Sequence, residues 1–209
     1  MDIDLKAIEE VIEVAKRLDD KGLVNAFEGN ISIKRGGKIY ITPTGKSKAT
    51  LTPEKICVMD SEGKQIAGIF EPTSELKMHT AVYKMRDDIC GIVHAHPPFM
   101  TAYAMAGIPI ESKCHAEMIW DHKTIEIVPY GRPGSDEIYA GVKPILDKGR
   151  DIMLLSNHGV LSVGTDVFAA LNKLESVENA AKILTIAKFV GDGKYADLPN
   201  EEVQILMSL

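Results

Sequence analysis

The chain has 209 residues, 45% of them hydrophobic, 26% charged and 6% aromatic, proportions of an ordinary folded domain that exclude disordered and collagen-like polypeptides. Its 24 Lys and Arg are scattered against 30 Asp and Glu, for a formal charge of -6, so no basic stripe exists to track a polyanion and nucleic acid is not an expected partner. Three distant cysteines without CxxC spacing, Cys57, Cys90 and Cys114, together with the lack of an apolar run of roughly 20 residues or a basic-then-apolar leader, lead to the expectation of a reduced, cytoplasmic protein with no membrane span.

Leu5, Ile8, Val11, Ile12, Ala15 and Leu18 recur at helical spacing, with Asp4 placed to cap the start and Gly22 to follow the end. From Asn30 to about Phe70 the period changes to two: Ile31 and Ile33, Ile39 and Ile41, Ile56 and Val58, then Ile66, separated by Gly-containing turns. These predict short antiparallel strands. The spacing predicts a helix over Ser74 to Arg86, a strand over Cys90 to His96 and a helix over Pro97 to Ala106, with Pro at its first turn. Further strands are expected at Ile125 to Val128, Ile152 to Leu155 and Val160 to Val163. Helices are expected at Asp136 to Leu146, Val167 to Val190 and Glu201 to Met207. Without a repeat or a Pro/Ser-rich linker, residues 1–209 are expected to form a single α/β domain of three layers, a mainly antiparallel central β-sheet flanked by helices.

The sharpest chemical signal is His94-Ala95-His96 at the end of a predicted strand. Residues two apart on a strand face the same side, so both rings can approach one ion at about 2.0–2.1 Å. Asn157-His158-Gly159, ending another strand, offers a third imidazole, and the Gly is expected to let the chain turn sharply. Three histidines with positions left open describe a catalytic zinc site, with nickel, manganese or iron as alternatives. Each histidine also has a plain reading as a solvated or hydrogen-bonded strand-end residue.

Glu75 lies at a predicted helix start, where the dipole favours an anion. Two loops, Glu28-Gly29-Asn30 and Thr42-Pro43-Thr44-Gly45-Lys46-Ser47, carry Gly and hydroxyl or amide side chains that, with Thr73-Ser74, suit a phosphate without a basic surface. Neither has P-loop spacing. Lys46 and Lys48 could add charge, although such lysines usually end on a solvated face.

The series GNIS, TPTG, TSE, HAH, NHG resembles the class II aldolase family, whose relatives include the adducin head domains, and the resemblance covers about Leu5 to Gly191. The resemblance implies the class II aldolase fold, with His94, His96, His158 and Glu75 as ligands of a catalytic Zn2+. It implies that Asn30, Thr44, Gly45, Thr73 and Ser74 hold the substrate phosphate. It further implies a small phosphorylated sugar as partner, best a deoxyketose 1-phosphate such as L-fuculose 1-phosphate, cleaved through a zinc-stabilised ene-diolate to dihydroxyacetone phosphate and an aldehyde such as L-lactaldehyde. Glu after Ser74 matches the aldolases, whereas the family's epimerases carry Asp and its methylthioribulose-phosphate dehydratases Gln. His115-Ala116-Glu117-Met118-Ile119 resembles the HADY of epimerases and the HxEMI of dehydratases, and leaves Glu117 or His115 as the second acid/base. The adducin heads lack the metal ligands, so four retained ligand positions speak for an enzyme. The family's homotetramers, with active sites between subunits, imply the same assembly here, with the His115 to Trp120 segment reaching a neighbour's zinc.

Overall fold

Every strand anticipated from Asn30 onward joins one sheet. The computed structural model describes residues 3–209, and among them the elements run α1 (Leu5–Asp20), β1 (Asn30–Arg35), β2 (Lys38–Ile41), β3 (Cys57–Asp60), β4 (Gln65–Ala67), α2 (Leu76–Met85), β5 (Gly91–Ala95), α3 (Pro98–Ala106), β6 (Ile127–Val128), α4 (Asp136–Leu146), β7 (Ile152–Leu155), β8 (Gly159–Gly164), α5 (Val167–Val190) and α6 (Asn200–Ser208). The strand order is β4-β3-β2-β1-β5-β8-β7-β6. All pairings are antiparallel except β6 with β7. That exception follows from connectivity, because helix α4 forms the crossover between the two strands, and a crossover of that kind brings them back parallel.

Alternation along the strands sorts the core into two layers. Ile31, Ile33, Tyr40, Val58, Val93, Ala95, Ile152, Leu154 and Val160 pack with residues of α1, α3 and α5. Their neighbours Ile39, Ile41, Cys57, Met59, Ile92, Met153, Leu155, Leu161 and Val163 pack with α2 and α4. The expected three layers, helices on both faces of a mainly antiparallel sheet, are therefore observed. Asn30 and Ser32 share the α2 side of β1, and Asn30 pairs in register with His94 of β5. Two adjacent strands thus present polar side chains beneath the start of one helix.

The expected cap of α1 is present, Asp4 Oδ1 accepting from Ala7 N at 3.1 Å, and α5 has a further, unanticipated one, Asp166 Oδ1 accepting from Ala169 N at 2.8 Å. Helix α3 is capped by a distant side chain instead. Pro97 supplies no cap, and the Glu178 carboxylate of α5 accepts from Phe99 N and Met100 N at 2.9 and 2.8 Å. Two expectations shift. Ile125 is not part of β6 but forms an isolated bridge with Ile110, and a π-helical turn over Met118–His122 follows the His115 segment. Among the described residues no helix is long and apolar enough to cross a membrane.

Candidate active site

Strands β5 and β8 run side by side, with Ala95 opposite Val160. That register sets His96, one residue past β5, against His158 and Gly159 at the start of β8. The three imidazoles converge as expected: ring centroids lie 5.0 Å apart for His94 and His96, 4.6 Å for His94 and His158, and 5.1 Å for His96 and His158. One nitrogen of each lies within 4.8 Å of the others. The reason for the glycine differs from the expectation. Asn157, at φ 55°, takes the left-handed turn, whereas a Cβ at Gly159 would meet His96 Cδ2 at 2.5 Å and Ala95 O at 2.7 Å. Gly159 makes room for a ring.

His94 Nδ1 donates to Val160 O at 2.9 Å, which leaves its Nε2 with a bare lone pair. His96 Nδ1 lies 3.2 Å from Glu28 Oε2, and its Nε2 is 3.1 Å from His94 Nε2. Two ring lone pairs that close repel one another unless a proton or a cation stands between them. Burial pushes His94 down to about 4 and also lowers His158, so both are neutral near pH 7, the form that binds metal.

Glu75 occupies the residue before α2, yet its carboxylate does not cap the helix. It turns inward, 6% exposed; Oε2 accepts from Asn30 Nδ2 at 2.7 Å and sits 3.1 Å from His94 Nε2. Oε1 lies 3.8 Å from His158 Nε2 and, like His158 Nδ1, is buried without a hydrogen-bond partner among the described residues. Burial would raise the carboxyl pKa, but the His94 ring, the Asn30 amide and the other nearby imidazoles outweigh it and hold Glu75 below its ordinary value. A buried carboxylate with a free oxygen, facing three imidazoles, fits a divalent transition metal by donor type.

The loops expected to hold a phosphate meet at the same cavity, about 170 Å³, a scale suited to a small metabolite. Asn30, Thr44, Gly45, Thr73 and Ser74 all line it, and the two chain segments are clipped together by Thr44 N donating to Glu71 O and Thr73 N to Thr42 O. Asn30 commits its amide to Glu75 and His79, however, with His79 Nε2 donating to Asn30 Oδ1 at 2.5 Å. Lys48 does not lie on a solvated face. It is 2% exposed, lines the cavity, and among the described residues makes long contacts of 3.4 Å to Phe27 O and Lys46 O. Burial lowers its pKa to about 8. Glu28 lines the cavity with the rest of its Glu28-Gly29-Asn30 loop, and Phe27 and Pro133, which carry no signal in the sequence, line it as well. His115 and Glu117 do not line it. His115 Nδ1 accepts from Met118 N at 3.2 Å and lies 3.5 Å from the carboxylate of Glu117, whose side chain is 73% exposed.

Sheet order and converging side chains define an α/β fold with a cavity at which His94, His96 and His158 form a cluster that could hold a metal ion. The family follows from comparison: residues 9–185 match the model of the class II aldolase and adducin N-terminal domain, and the chain belongs to that family, whose aldolases are metal-dependent. It is 37% identical to an L-fuculose phosphate aldolase of Methanococcus maripaludis over 177 residues, 84% of this chain and 94% of that one. It is 29% identical to a 5-deoxy-D-ribulose 1-phosphate aldolase of Bacillus thuringiensis, over 96% and 93% of the two chains. A solved L-fuculose 1-phosphate aldolase superposes with a TM-score of 0.88 at 30% identity, over 99% of this chain and 96% of that one.

Proposed function

We propose that the protein is a zinc-dependent aldolase that reversibly cleaves a deoxyketose 1-phosphate, L-fuculose 1-phosphate first, to dihydroxyacetone phosphate and a small aldehyde such as L-lactaldehyde. The observation that carries this reading is the buried Glu75 Oε1, without a hydrogen-bond partner among the described residues, beside three converging imidazoles that line the same cavity. His94, His96 and His158, with Glu75 as the fourth ligand before substrate enters, would hold the ion. The chemistry supplied by a divalent ion there is Lewis acidity at the carbonyl end of the sugar.

The chain's own groups do the rest. Thr44, Gly45, Thr73 and Ser74 receive the phosphate, and the buried Lys48 ammonium supplies countercharge in a protein of net negative charge. Breaking the C3–C4 bond leaves its electron pair on the C3 side. In synthesis the Glu75 carboxylate takes a proton from C3 of dihydroxyacetone phosphate while Glu117 or His115, in its protonated form, gives one to the aldehyde oxygen that becomes the C4 hydroxyl. Cleavage runs the same two transfers in reverse, with protonated Glu75 returning its proton to C3 and the second group taking that of the C4 hydroxyl. Since neither of the latter lines this chain's cavity, we infer a homotetramer with intersubunit active sites, in which the His115 to Trp120 segment serves a neighbouring copy.

The test is metal analysis of the purified protein coupled to a panel of L-fuculose, L-rhamnulose and 5-deoxyribulose 1-phosphates, scored for free dihydroxyacetone phosphate. Release that tracks bound metal is the expected result. An epimerised or dehydrated product without dihydroxyacetone phosphate would transfer the protein to a sister chemistry on this fold, and a metal-loaded protein inert to the whole panel would overturn the assignment.

A further inference from the structure

A buried chain of hydrogen bonds continues behind the site. Tyr83 Oη lies 2.8 Å from Ser32 Oγ, Ser32 Oγ 2.7 Å from His79 Nδ1, His79 Nε2 2.5 Å from Asn30 Oδ1, and Asn30 Nδ2 2.7 Å from Glu75 Oε2. All five residues are buried. Spacing explains the alignment, because Glu75, His79 and Tyr83 recur every four residues along one side of α2 and Asn30 and Ser32 are two apart on the facing side of β1.

Only one direction of donation is consistent with an ionised Glu75. If His79 carried its proton on Nδ1, the Nε2 lone pair would require the Asn30 amide nitrogen, and Asn30 Oδ1 would then face a carboxylate oxygen, acceptor against acceptor. With the proton on Nε2, His79 donates to Asn30 Oδ1, Asn30 donates to Glu75, and Nδ1 accepts from Ser32, which in turn accepts from Tyr83. We propose that His79 is a positioning residue for the aldol reaction: held as the neutral Nε2–H tautomer by Ser32 and Tyr83, it fixes the orientation of the Asn30 amide, which ties down Glu75 Oε2 and leaves Oε1 for the reacting atoms. This role rests on the proton-transfer function proposed for Glu75. It also gives Asn30 a task besides its place in the cavity lining, since its amide nitrogen donates to the carboxylate.

The experiment combines metal analysis, steady-state kinetics and 15N-histidine NMR on the full chain. In the unaltered protein His79 is expected as the neutral Nε2–H tautomer. In His79→Leu, bound metal and KM stay near their original values while kcat falls about 10- to 100-fold, the usual range for a supporting partner of a metal-site residue. His79→Gln, which keeps an amide donor near the Nε2 position, recovers part of that loss, an outcome a purely space-filling role would not produce. Should His79→Leu not fold, Ser32→Ala and Tyr83→Phe decide, with kcat losses expected to be larger for Ser32→Ala and its His79 tautomer no longer uniform. The inference is overturned by an Nδ1–H tautomer, by equal kcat in His79→Gln and His79→Leu, or by an unchanged kcat in both Ser32→Ala and Tyr83→Phe. A protein inert to every ketose 1-phosphate would sink the proposed reaction, while the tautomer and its response to Ser32→Ala would still judge the hydrogen-bonded chain.

Discussion

A carboxylate oxygen buried without a donor destabilises the folded chain by about 1–3 kcal/mol unless a cation or ligand answers it. Glu75 Oε1 is such an atom, and its neighbours separate two roles. His96→Ala removes one of three convergent nitrogens and is expected to abolish both bound metal and turnover. Glu75→Gln leaves the imidazoles intact and is expected to retain metal and lose cleavage, checked by elemental analysis beside the aldol assay; full activity in that variant would remove Glu75 from the mechanism. His79 supplies a separate prediction. Burial lowers its pKa from an ordinary 6.5 to about 3, so between those values the unfolded chain binds a proton that the folded one does not. Its contribution is complete above 6.5 and is lost as pH falls, by about 1.4 kcal/mol per unit. Urea unfolding of the metal-free protein should therefore show stability dropping between about pH 7 and 5, and a flat profile would contradict the burial of a neutral ring.

Elements position these residues by register. The pattern of His94-Ala95-His96 and Asn157-His158-Gly159 was legible because strand periodicity is local. The pairing of Ala95 with Val160, which brings those motifs together, involves residues far apart in the chain and has no local signature. The Glu178 cap of α3 shows the same limit: nothing near Pro98 announces it, since the acceptor comes from α5. Glu178→Ala leaves two backbone N–H groups without that acceptor and is expected to cost about 2 kcal/mol, read as a lower urea midpoint with an unchanged slope. A loss within a few tenths of a kcal/mol would mean that water replaces the carboxylate at no cost.

At the scale of the molecule, apolar side chains remain uncovered. Phe189 is 88% and Val190 78% exposed at the end of α5, and Trp120 protrudes beside His115 and Glu117. Surfaces of this kind mark interaction sites, and they support the intersubunit reading of the second acid/base. Light scattering is expected to give four copies per particle, with mixtures of Glu75→Gln subunits and subunits carrying both His115→Ala and Glu117→Gln regaining activity that neither form has alone. A strictly monomeric form with full activity would remove the tetramer and the borrowed residue together.

Local periodicity determined the helices and strands, because burial alternates with a period set by backbone geometry. The family was recognisable from five short motifs in a fixed order, whose roles came with the resemblance and not from the periodicity. Tertiary structure alone decided that Lys48 is buried and not solvated, that Asn30 serves Glu75, that Gly159 yields space to His96, and that His79 stands behind the carboxylate. Each depends on which distant segment packs against it, and free energy of burial is a property of the assembled neighbourhood, not of the residue.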